Sequence, residues 1–288
     1  MKRIQIFLAV LIFPATGISK DVPRDLILVA GQSNAVGFDV DPAKLPKNET
    51  DRQVMFWWRC GDPPPDTYDC RSQDWEVLQI QPRNEPMAGN GKDRQYGNFK
   101  DKAGGFGPEI GLARRLMEQQ NRPLAIVKVA FSGTGISDDW NPDTGSCYRA
   151  LIEETRKATT AAQASGTDLR LRALVWVQGE SDASPEKAAA YEKNLKDLIK
   201  SLRKDLAAPH LIVLAGVNTR FQDGKEVLKV VAAQKALARH MADYMYVDTS
   251  GATIANPAHF DTTGTLDVGQ RFADALMKME SGSKKGGK

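Results

Sequence analysis

Histidine and cysteine are scarce in this sequence, because its 288 residues include only three of each. The sequence has no CxxC or HExxH motif and no cluster of histidines, so the common ligand patterns of a protein-bound metal are missing. We therefore expect no metal site. The same scarcity leaves only His210, His240 and His259 as histidines that could act in catalysis.

A strong excess of charge of one sign is also missing. The formal net charge is +3, but Lys2 and Arg3 near the start and three lysines among the last five residues contribute more than this. The remaining body is slightly acidic, which gives no electrostatic basis for binding nucleic acid or an anionic membrane. After the N-terminal segment no apolar run is long enough to span a bilayer, so we expect no stable membrane anchor.

The first 20 residues have the layout of a secretory signal peptide. Two basic residues precede an apolar stretch at 4–14, and small residues follow it. We expect this leader, residues 1–20, to be removed on export to the periplasm or the extracellular space. In that oxidising environment, Cys60 and Cys70 are predicted to form a disulfide that closes a proline-rich loop, whereas Cys147 is expected to be a buried thiol.

Residues 21–280 are predicted to form one α/β domain. Its apolar runs do not alternate with polar residues, which is typical of parallel strands buried on both faces, and amphipathic segments separate them. The loop-rich region at about 38–106 is expected to be an insertion at the edge of the sheet. Residues 281–288 are predicted to form a disordered basic tail. The strands are expected at 25–31, 124–130, 171–179, 210–218 and 245–249, and the helices at 107–121, 148–164, 184–206, 225–243 and 269–279.

Small, polar and ionisable residues follow four of the predicted strands. In open α/β sheets, ligands bind outside the carboxyl ends of the strands, so these residues should meet at one rim. They include Ser33 in GQSN, Gly133 in SGTG, Gln178 in WVQGE and His259 in the loop after the last strand. This convergence indicates a site at the rim of the sheet.

The chemistry of these residue types points to acyl transfer. A serine hydroxyl becomes a good nucleophile when a base, usually histidine, removes its proton. Of the three histidines, only His259 is expected at the same rim as Ser33, so it is the candidate base. Donors aimed at the developing oxyanion are also needed, and the candidates are the backbone N–H groups of Ser33 and Gly133 and the side-chain amide of Gln178.

These motifs resemble, in their order, the SGNH-hydrolase superfamily and within it the sialate O-acetylesterase-like carbohydrate esterases, which include acetylxylan esterases. The resemblance rests on GQSN, FGPEIGLAR, SGTGISDDW, WVQGESD and HFDTTG, and it runs from about residue 25 to residue 280. It implies a three-layer α/β/α sandwich with a mostly parallel, flavodoxin-like sheet. It also implies a serine nucleophile at Ser33, a base at His259 and an oxyanion hole from Ser33, Gly133 and Gln178, with no cofactor.

The third member of such a site is left open by the sequence. Many members of the superfamily carry an aspartate three residues before the histidine, and this chain has Asn256 there. Glu180, in WVQGESD, is one candidate for the acid. Alternatively, the serine and the histidine act as a dyad with Asn256 orienting the imidazole, or the chain is a weakened enzyme that binds glycans.

These features predict an exported carbohydrate O-acetylesterase of the sialate or xylan type that works through an acetyl-enzyme. Gln32 and Asn34, which flank the serine, and Trp140 are candidate contacts for the acetylated carbohydrate. The alternatives are a broad-specificity esterase or thioesterase and a non-catalytic glycan-binding protein on the same fold. The sequence carries no signal for the oligomeric state.

Overall fold

The central feature of the structure, a computed structural model, is a mostly parallel β-sheet with helices packed on both faces. The structure describes residues 22–61, 69–83, 97–120 and 122–283. The predicted leader and the last five residues of the predicted tail lie outside these ranges. Within them, no helix combines the length and the apolar character needed to cross a membrane.

The strands and helices alternate along the chain, as the sequence predicts. In the described ranges, eight strands form the central sheet, and a further pair forms a small sheet of its own. The strands are β1 (Arg24–Gly31), β2 (Met55–Gly61), β3 (Asp69–Arg71), β4 (Glu76–Val77), β5 (Leu124–Phe131), β6 (Leu169–Val177), β7 (Ile212–Gly216), β8 (Tyr244–Tyr246), β9 (Ile254–Asn256) and β10 (His259–Phe260). The α-helices are α1 (Ser33–Val36), α2 (Glu109–Gln120), α3 (Ser146–Ala164), α4 (Pro185–Asp205), α5 (Val227–His240) and α6 (Thr262–Ser283).

The order of the parallel strands places the loops that could form a site. Five of them run across the sheet in the order β5-β1-β6-β7-β8. This is the 2-1-3-4-5 arrangement of flavodoxin-like folds, whose ligands bind at the switch point between the first and third of these strands, here β1 and β6. Gly31, the last residue of β1, lies opposite Ala130 of β5 and Val177 of β6. The loops that follow these three strands therefore begin side by side.

The predicted insertion is part of the sheet. β2 pairs in parallel with β5, and β3 and β4 pair antiparallel with β2. The region between the first two core strands thus adds three strands beyond β5 at the edge, where the sequence shows only short strand-like pieces.

Both faces of the central strands are buried, which explains their continuous apolar sequences. In β1, Leu26, Leu28 and Ala30 lie in the apolar cluster shared with α3, α4 and α5. Ile27 and Val29 lie in the cluster on the other face, with α2 and α6. Burial of each large aliphatic side chain stabilises the fold by roughly 1.5–3 kcal/mol, so the strand is stabilised from both layers.

Helix α6 begins earlier and ends later than predicted. The carboxylate of Asp261 accepts a hydrogen bond from the backbone N–H of Gly264 at 2.8 Å, which caps the helix at its start. The helix continues to Ser283, so the first residues of the predicted disordered tail are helical.

A buried charge connects β5 to three other parts of the fold. The Nζ atom of Lys128, on β5, donates to Glu109 on α2 at 2.9 Å, to Gln81 at 2.7 Å and to the carbonyl of Val36 at 2.8 Å. Both members of the ion pair are fully buried. Because Val36 is the last residue of α1, this network holds the short helix that starts at Ser33 against the sheet.

The cysteines differ from the prediction. Cys60 and Cys70 lie directly opposite each other on β2 and β3, but no disulfide joins them in the structure, which has both as thiols. Burial raises the pKa of Cys60 to about 12. Disulfide formation proceeds through a thiolate, and burial strongly disfavours this form. Cys147 is buried, as predicted.

Candidate active site

A sharp turn after β1 brings Ser33 to the rim of the sheet. Gly31 has a φ of 143°, and a Cβ atom there would lie 2.0 Å from the carbonyl oxygen of Val177. Only glycine fits this close approach of two strands. Ser33 follows two residues later as the first residue of α1, at the carboxyl end of a central strand.

Ser33, His259 and Asp39 form a continuous chain of hydrogen bonds. The Oγ atom of Ser33 lies 2.9 Å from Nε2 of His259, and Nδ1 of the same ring lies 2.6 Å from Oδ2 of Asp39. A carboxylate only accepts hydrogen bonds, so Nδ1 carries the proton and Nε2 is left as the acceptor for the serine hydroxyl. This is the tautomer that removes a proton from a serine.

Asp39 is held as a carboxylate by several donors. Lys100 forms an ion pair with its Oδ1 atom at 2.9 Å, and the side-chain amide of Asn256 donates to Oδ2 at 2.7 Å. Burial opposes its ionisation, but the hydrogen bonds from Lys100, Asn256 and His259 outweigh this effect and lower the pKa of Asp39 below its usual value. Asp39 is therefore negatively charged beside the imidazole at neutral pH.

His259 is neutral at the same pH. Burial lowers the pKa of His259 below its usual value, and the partner Asp39 offsets this only in part, while the charge of Lys100 lowers the pKa further. The side chain remains 18% exposed. A neutral imidazole that accepts from Ser33 and contacts a carboxylate can act as a general base.

Glu180, the acid considered from the sequence, is not placed beside His259. Its Oε1 atom accepts from the side-chain amide of Asn34 at 2.6 Å and from the backbone N–H of Asn218 at 3.1 Å. It is almost fully buried, and this burial raises its pKa. The structure thus corrects this assignment, since Glu180 links the loops after β6 and β7 while Asp39 contacts the histidine.

Asn256 and Asn34 both hold the loop that carries His259. Oδ1 of Asn256 accepts from the backbone N–H of His259 at 3.1 Å, while its Nδ2 atom contacts Asp39 rather than the imidazole. Asn34 donates to the carbonyl of Ala258 at 3.0 Å and accepts from the N–H of Phe260 at 3.0 Å. Asn34 therefore makes its hydrogen bonds within the protein. The substrate contact predicted for it from the sequence is not supported.

A cavity of about 200 Å³ opens over Ser33 and His259. Its walls come from the loops after β1, β5, β6 and β7, as expected for a site at the switch point. Gly133, with a φ of 69°, forms part of the wall next to the serine. The lining residues are Gln32, Ser33, Phe38, Ser132, Gly133, Ser181, Phe221 and His259.

Gln178 does not fit the role predicted for it. Its Nε2 atom lies 2.6 Å from Asp182, 3.0 Å from the carbonyl of Thr134 and 3.3 Å from the oxygen of Gln32, so three protein acceptors share its two hydrogens. A carbonyl oxygen only accepts, so the contact with Thr134 requires the nitrogen on that side and fixes the orientation of the amide, with Oε1 3.0 Å from the hydroxyl of Tyr191. The side chain is fully buried and is not part of the cavity wall described above.

Trp140, another candidate for a sugar contact, is a core residue. It is fully buried, it packs edge-on against Trp176, and its indole N–H donates to Thr134 at 2.9 Å. The aromatic side chains at the cavity are instead Phe38 and Phe221.

Asp39 is the site residue that the sequence reasoning missed. It lies in the loop that follows Gly37, which ends α1 in a left-handed conformation with a φ of 88°. A usable signal exists in this pattern: a one-turn helix closed by glycine keeps the next residues at the same rim, so acidic residues just after GQSNAVG belong among the candidates.

Comparisons with known proteins identify a matching family model and a related protein. A family model described as "Carbohydrate esterase, sialic acid-specific acetylesterase" matches residues 23–278. The probable carbohydrate esterase At4g34215 of Arabidopsis thaliana is 29% identical over 181 residues, which is 61% of this chain. The match spans 65% of that relative, slightly less than two thirds of its length.

Solved structures share the fold. The X-ray structure of AT4G34215 from Arabidopsis thaliana has a TM-score of 0.63 at 22% identity, over 89% of this chain and 99% of that one. NanS has a TM-score of 0.63 at 17% identity, over 90% and 98%. XAC1771, described as a novel carbohydrate acetylesterase from Xanthomonas citri, has a TM-score of 0.59 at 15% identity, over 90% and 57%. The predicted α/β/α fold is confirmed.

Proposed function

Because the chain belongs to the carbohydrate esterase family of sialic acid-specific acetylesterases, and is thus a carboxylic ester hydrolase, we propose that it removes O-acetyl groups from carbohydrates with a Ser33–His259–Asp39 triad. The observation that carries this assignment is the chain of two hydrogen bonds, 2.9 Å and 2.6 Å long, from the serine through the imidazole to the carboxylate. We retain the predicted export of the enzyme as part of the proposal.

The first half of the reaction is the attack of Ser33 on the acetyl ester. Nε2 of His259 takes the hydroxyl proton as Oγ bonds to the carbonyl carbon, and the carbonyl π electrons move onto the oxygen. The backbone N–H groups of Ser33 and Gly133 are candidate donors to this oxyanion. When the intermediate collapses, the bond to the sugar oxygen breaks, and the imidazolium returns its proton to that oxygen. The carbohydrate leaves, and acetyl-Ser33 remains.

The second half repeats the steps with water as the nucleophile. His259 removes a proton from water as the water oxygen bonds to the acetyl carbon. The collapse of this intermediate breaks the bond to Oγ, which takes the proton back from the imidazolium, and acetate is released. The serine and the neutral histidine are thus restored, so the cycle consumes one ester and one water.

Asp39 has two tasks in this scheme. Its hydrogen bond from Nδ1 keeps the imidazole in the tautomer that accepts from Ser33, and its charge stabilises the imidazolium that forms in each half-reaction. This contact removes the reason to favour a weakened, glycan-binding protein, which was the absence of an aspartate at position 256.

The cavity supports a small acyl group. A volume of about 200 Å³, with Phe38 and Phe221 in its walls, suits a small acyl group together with the start of a sugar. For the carbohydrate, we propose an O-acetylated sialic acid, with acetylated xylan as the competing substrate. The family description supports the sialate, and the name of the Arabidopsis relative supports carbohydrate esters in general.

The proposal is tested by acetate release from O-acetylated sialic acid, acetylated xylan and 4-nitrophenyl acetate. We expect Ser33→Ala and His259→Ala each to reduce kcat by a factor on the order of 10⁶, as in other serine hydrolases. A serine-reactive phosphonate should add its mass to the wild type and not to Ser33→Ala. Ser165→Ala is the matched control, because this exposed serine caps the end of α3 away from the cavity.

Each part of the proposal has its own contradicting result. Turnover that survives in Ser33→Ala, or phosphonate attached to another residue, would refute the triad. Turnover of 4-nitrophenyl acetate or a thioester with none of either acetylated carbohydrate would instead identify a broad-specificity esterase or thioesterase. A kcat/KM that is higher on acetylated xylan than on O-acetylated sialic acid would refute only the choice of sialate as the substrate.

A further inference from the structure

The side-chain amide of Gln32 lies in the wall of the active-site cavity, next to Ser33 in the chain. Its Oε1 atom accepts from the backbone N–H of Ser181 at 3.1 Å and from that of Gly179 at 3.4 Å. A backbone N–H group only donates, so the atom that faces these two groups must be the amide oxygen. The loop after β6 therefore fixes the orientation of this amide.

The opposite end of the amide faces the cavity. The oxygen of Gln32 is turned to the protein, and its residue lines the cavity beside Ser33 and His259, so the NH₂ group is the part presented to a substrate. Among the contacts of the described residues, all those of the Gln32 side chain are made by the oxygen. A nearly buried amide whose hydrogens have no acceptor in the described part of the chain is suited to a ligand oxygen.

Gln178 is placed to support this amide rather than to contact substrate. Its Nε2 atom lies 2.6 Å from Asp182 and 3.3 Å from the oxygen of Gln32. On the other side, the oxygen of the Gln178 amide lies 3.0 Å from the Tyr191 hydroxyl, and Gln234 in turn donates to that hydroxyl at 3.2 Å. A chain of buried polar groups therefore runs from the helical layer to Gln32.

We infer that Gln32, rather than Gln178, supplies a side-chain hydrogen bond to the oxyanion of the tetrahedral intermediate, and that Gln178 is a positioning residue for it. The inference rests on the proposed esterase function. Gln32 and Ser33 are adjacent in the chain and both line the cavity, so in this proposal the side-chain NH₂ of one and the backbone N–H of the other bind the same oxygen. Both are preorganised, because the turn at Gly31 and the contacts to Ser181 and Gly179 exist before substrate binds.

The test uses Gln32→Glu and Gln32→Met in the full chain. The first keeps an oxygen for the N–H of Ser181 and the second is uncharged and of similar length, while both lose the NH₂ donor. On 4-nitrophenyl acetate and on O-acetylated sialic acid, we expect kcat to fall by about 10²–10³-fold with KM nearly unchanged. Gln119→Glu, the same change on the exposed face of α2, is the control and should match the wild type.

A boronic acid that forms a tetrahedral adduct with Ser33 provides a second readout. Its affinity should fall in the Gln32 variants in parallel with kcat/KM, whereas the affinity for acetate should change little, since only the adduct carries the oxyanion. A merely structural role would weaken both ligands and lower the melting temperature. That result would overturn the inference.

Two further results would contradict the role inferred for Gln32. Unchanged kcat in both Gln32 variants would overturn the inference, as would a loss confined to the sialic acid substrate, which would make Gln32 a sugar contact. If either of these results occurs and Ser33→Ala is inactive in the same experiment, the inference fails while the proposed function stands. If Ser33→Ala retains activity, the proposed function itself fails.

Discussion

At the scale of single residues, the pairing of Asn256 with Asp39 determines the electrostatics of the site. The amide of Asn256 accepts from the backbone of the His259 loop and donates to Asp39 at 2.7 Å, which an aspartate could not do. A second carboxylate at this position would lie against Asp39, and like charges at this distance raise the pKa of one of the pair. Asparagine at position 256 is therefore the residue that suits a carboxylate at position 39.

Replacement of Asp39 distinguishes the two candidate acids. We expect Asp39→Asn to reduce kcat by about 10⁴-fold, because the amide favours the wrong imidazole tautomer and leaves the imidazolium without a counter-charge. Glu180→Gln makes the same chemical change at the other carboxylate and should cost much less activity. The measurement is kcat and kcat/KM on 4-nitrophenyl acetate, with the melting temperature of each variant. A larger loss of kcat in Glu180→Gln than in Asp39→Asn, without unfolding, would identify Glu180 as the acid of the triad instead.

At the scale of elements, the predicted insertion contributes to the electrostatics of the catalytic histidine. The backbone N–H of Lys100 donates to the carbonyl of Phe38 at 2.9 Å, which holds the segment before α2 against the loop after α1. The ammonium group of Lys100 contacts Asp39, and Asp39 contacts His259. Three segments that are far apart in sequence, after α1, before α2 and at β10, thus set the protonation of one imidazole.

The pH dependence of activity should report this arrangement. Only neutral His259 can accept the serine proton, so kcat/KM should rise with pH through the pKa of His259, which lies below its ordinary value. The charge of Lys100 lowers this pKa, so Lys100→Met should raise it and move the acidic limb of the profile to higher pH. Lys100→Arg keeps the charge and should leave the limb in place. An acidic limb that moves to lower pH in Lys100→Met would contradict this account.

At the scale of the whole molecule, the sheet is the frame on which the site is assembled. The turns after β1, β5 and β6 start from neighbouring residues in register, and β7 and β10 add the loops that complete the cavity. The buried network of Lys128 and Glu109 holds α1 against the sheet through the carbonyl of Val36. Loss of either charge alone would leave the other buried and unpaired. The position of Ser33 therefore depends on packing throughout both layers.

Export is a prediction for the whole chain. The full sequence should be secreted with residues 1–20 removed, and a version that starts at residue 21 should stay inside the cell. Because β1 begins at Arg24, this shorter version keeps every described strand and helix, and its kcat/KM should equal that of the secreted enzyme. Cell fractionation and the intact mass of each product provide the check. Recovery of the full chain inside the cell with its first 20 residues attached would contradict the signal peptide.

Local patterns in the sequence are enough to predict the fold class and the edge of the sheet at which the site lies. Continuous apolar runs such as 26–30 mark strands buried on both faces, and glycine and small polar residues mark the strand ends where a parallel sheet binds ligands. The α/β fold class followed from these patterns, whereas the family followed from the resemblance of the motifs and of their order. The meeting of Ser33 and His259 at one rim followed as well, because parallel strands end on the same side.

The hydrogen-bond partners of the polar groups in the site are evident only from the tertiary structure. His259 and Asp39 are 220 residues apart in sequence, so a local pattern can place Asp39 near the rim but cannot indicate that it contacts His259. Gln178 and Trp140 are of residue types that are common in binding sites, but both side chains are fully buried in the protein interior. The physical reason is that a hydrogen-bond partner depends on the relative placement of several loops within a few tenths of an ångström, whereas strand and helix formation depends on the spacing of apolar residues along one segment.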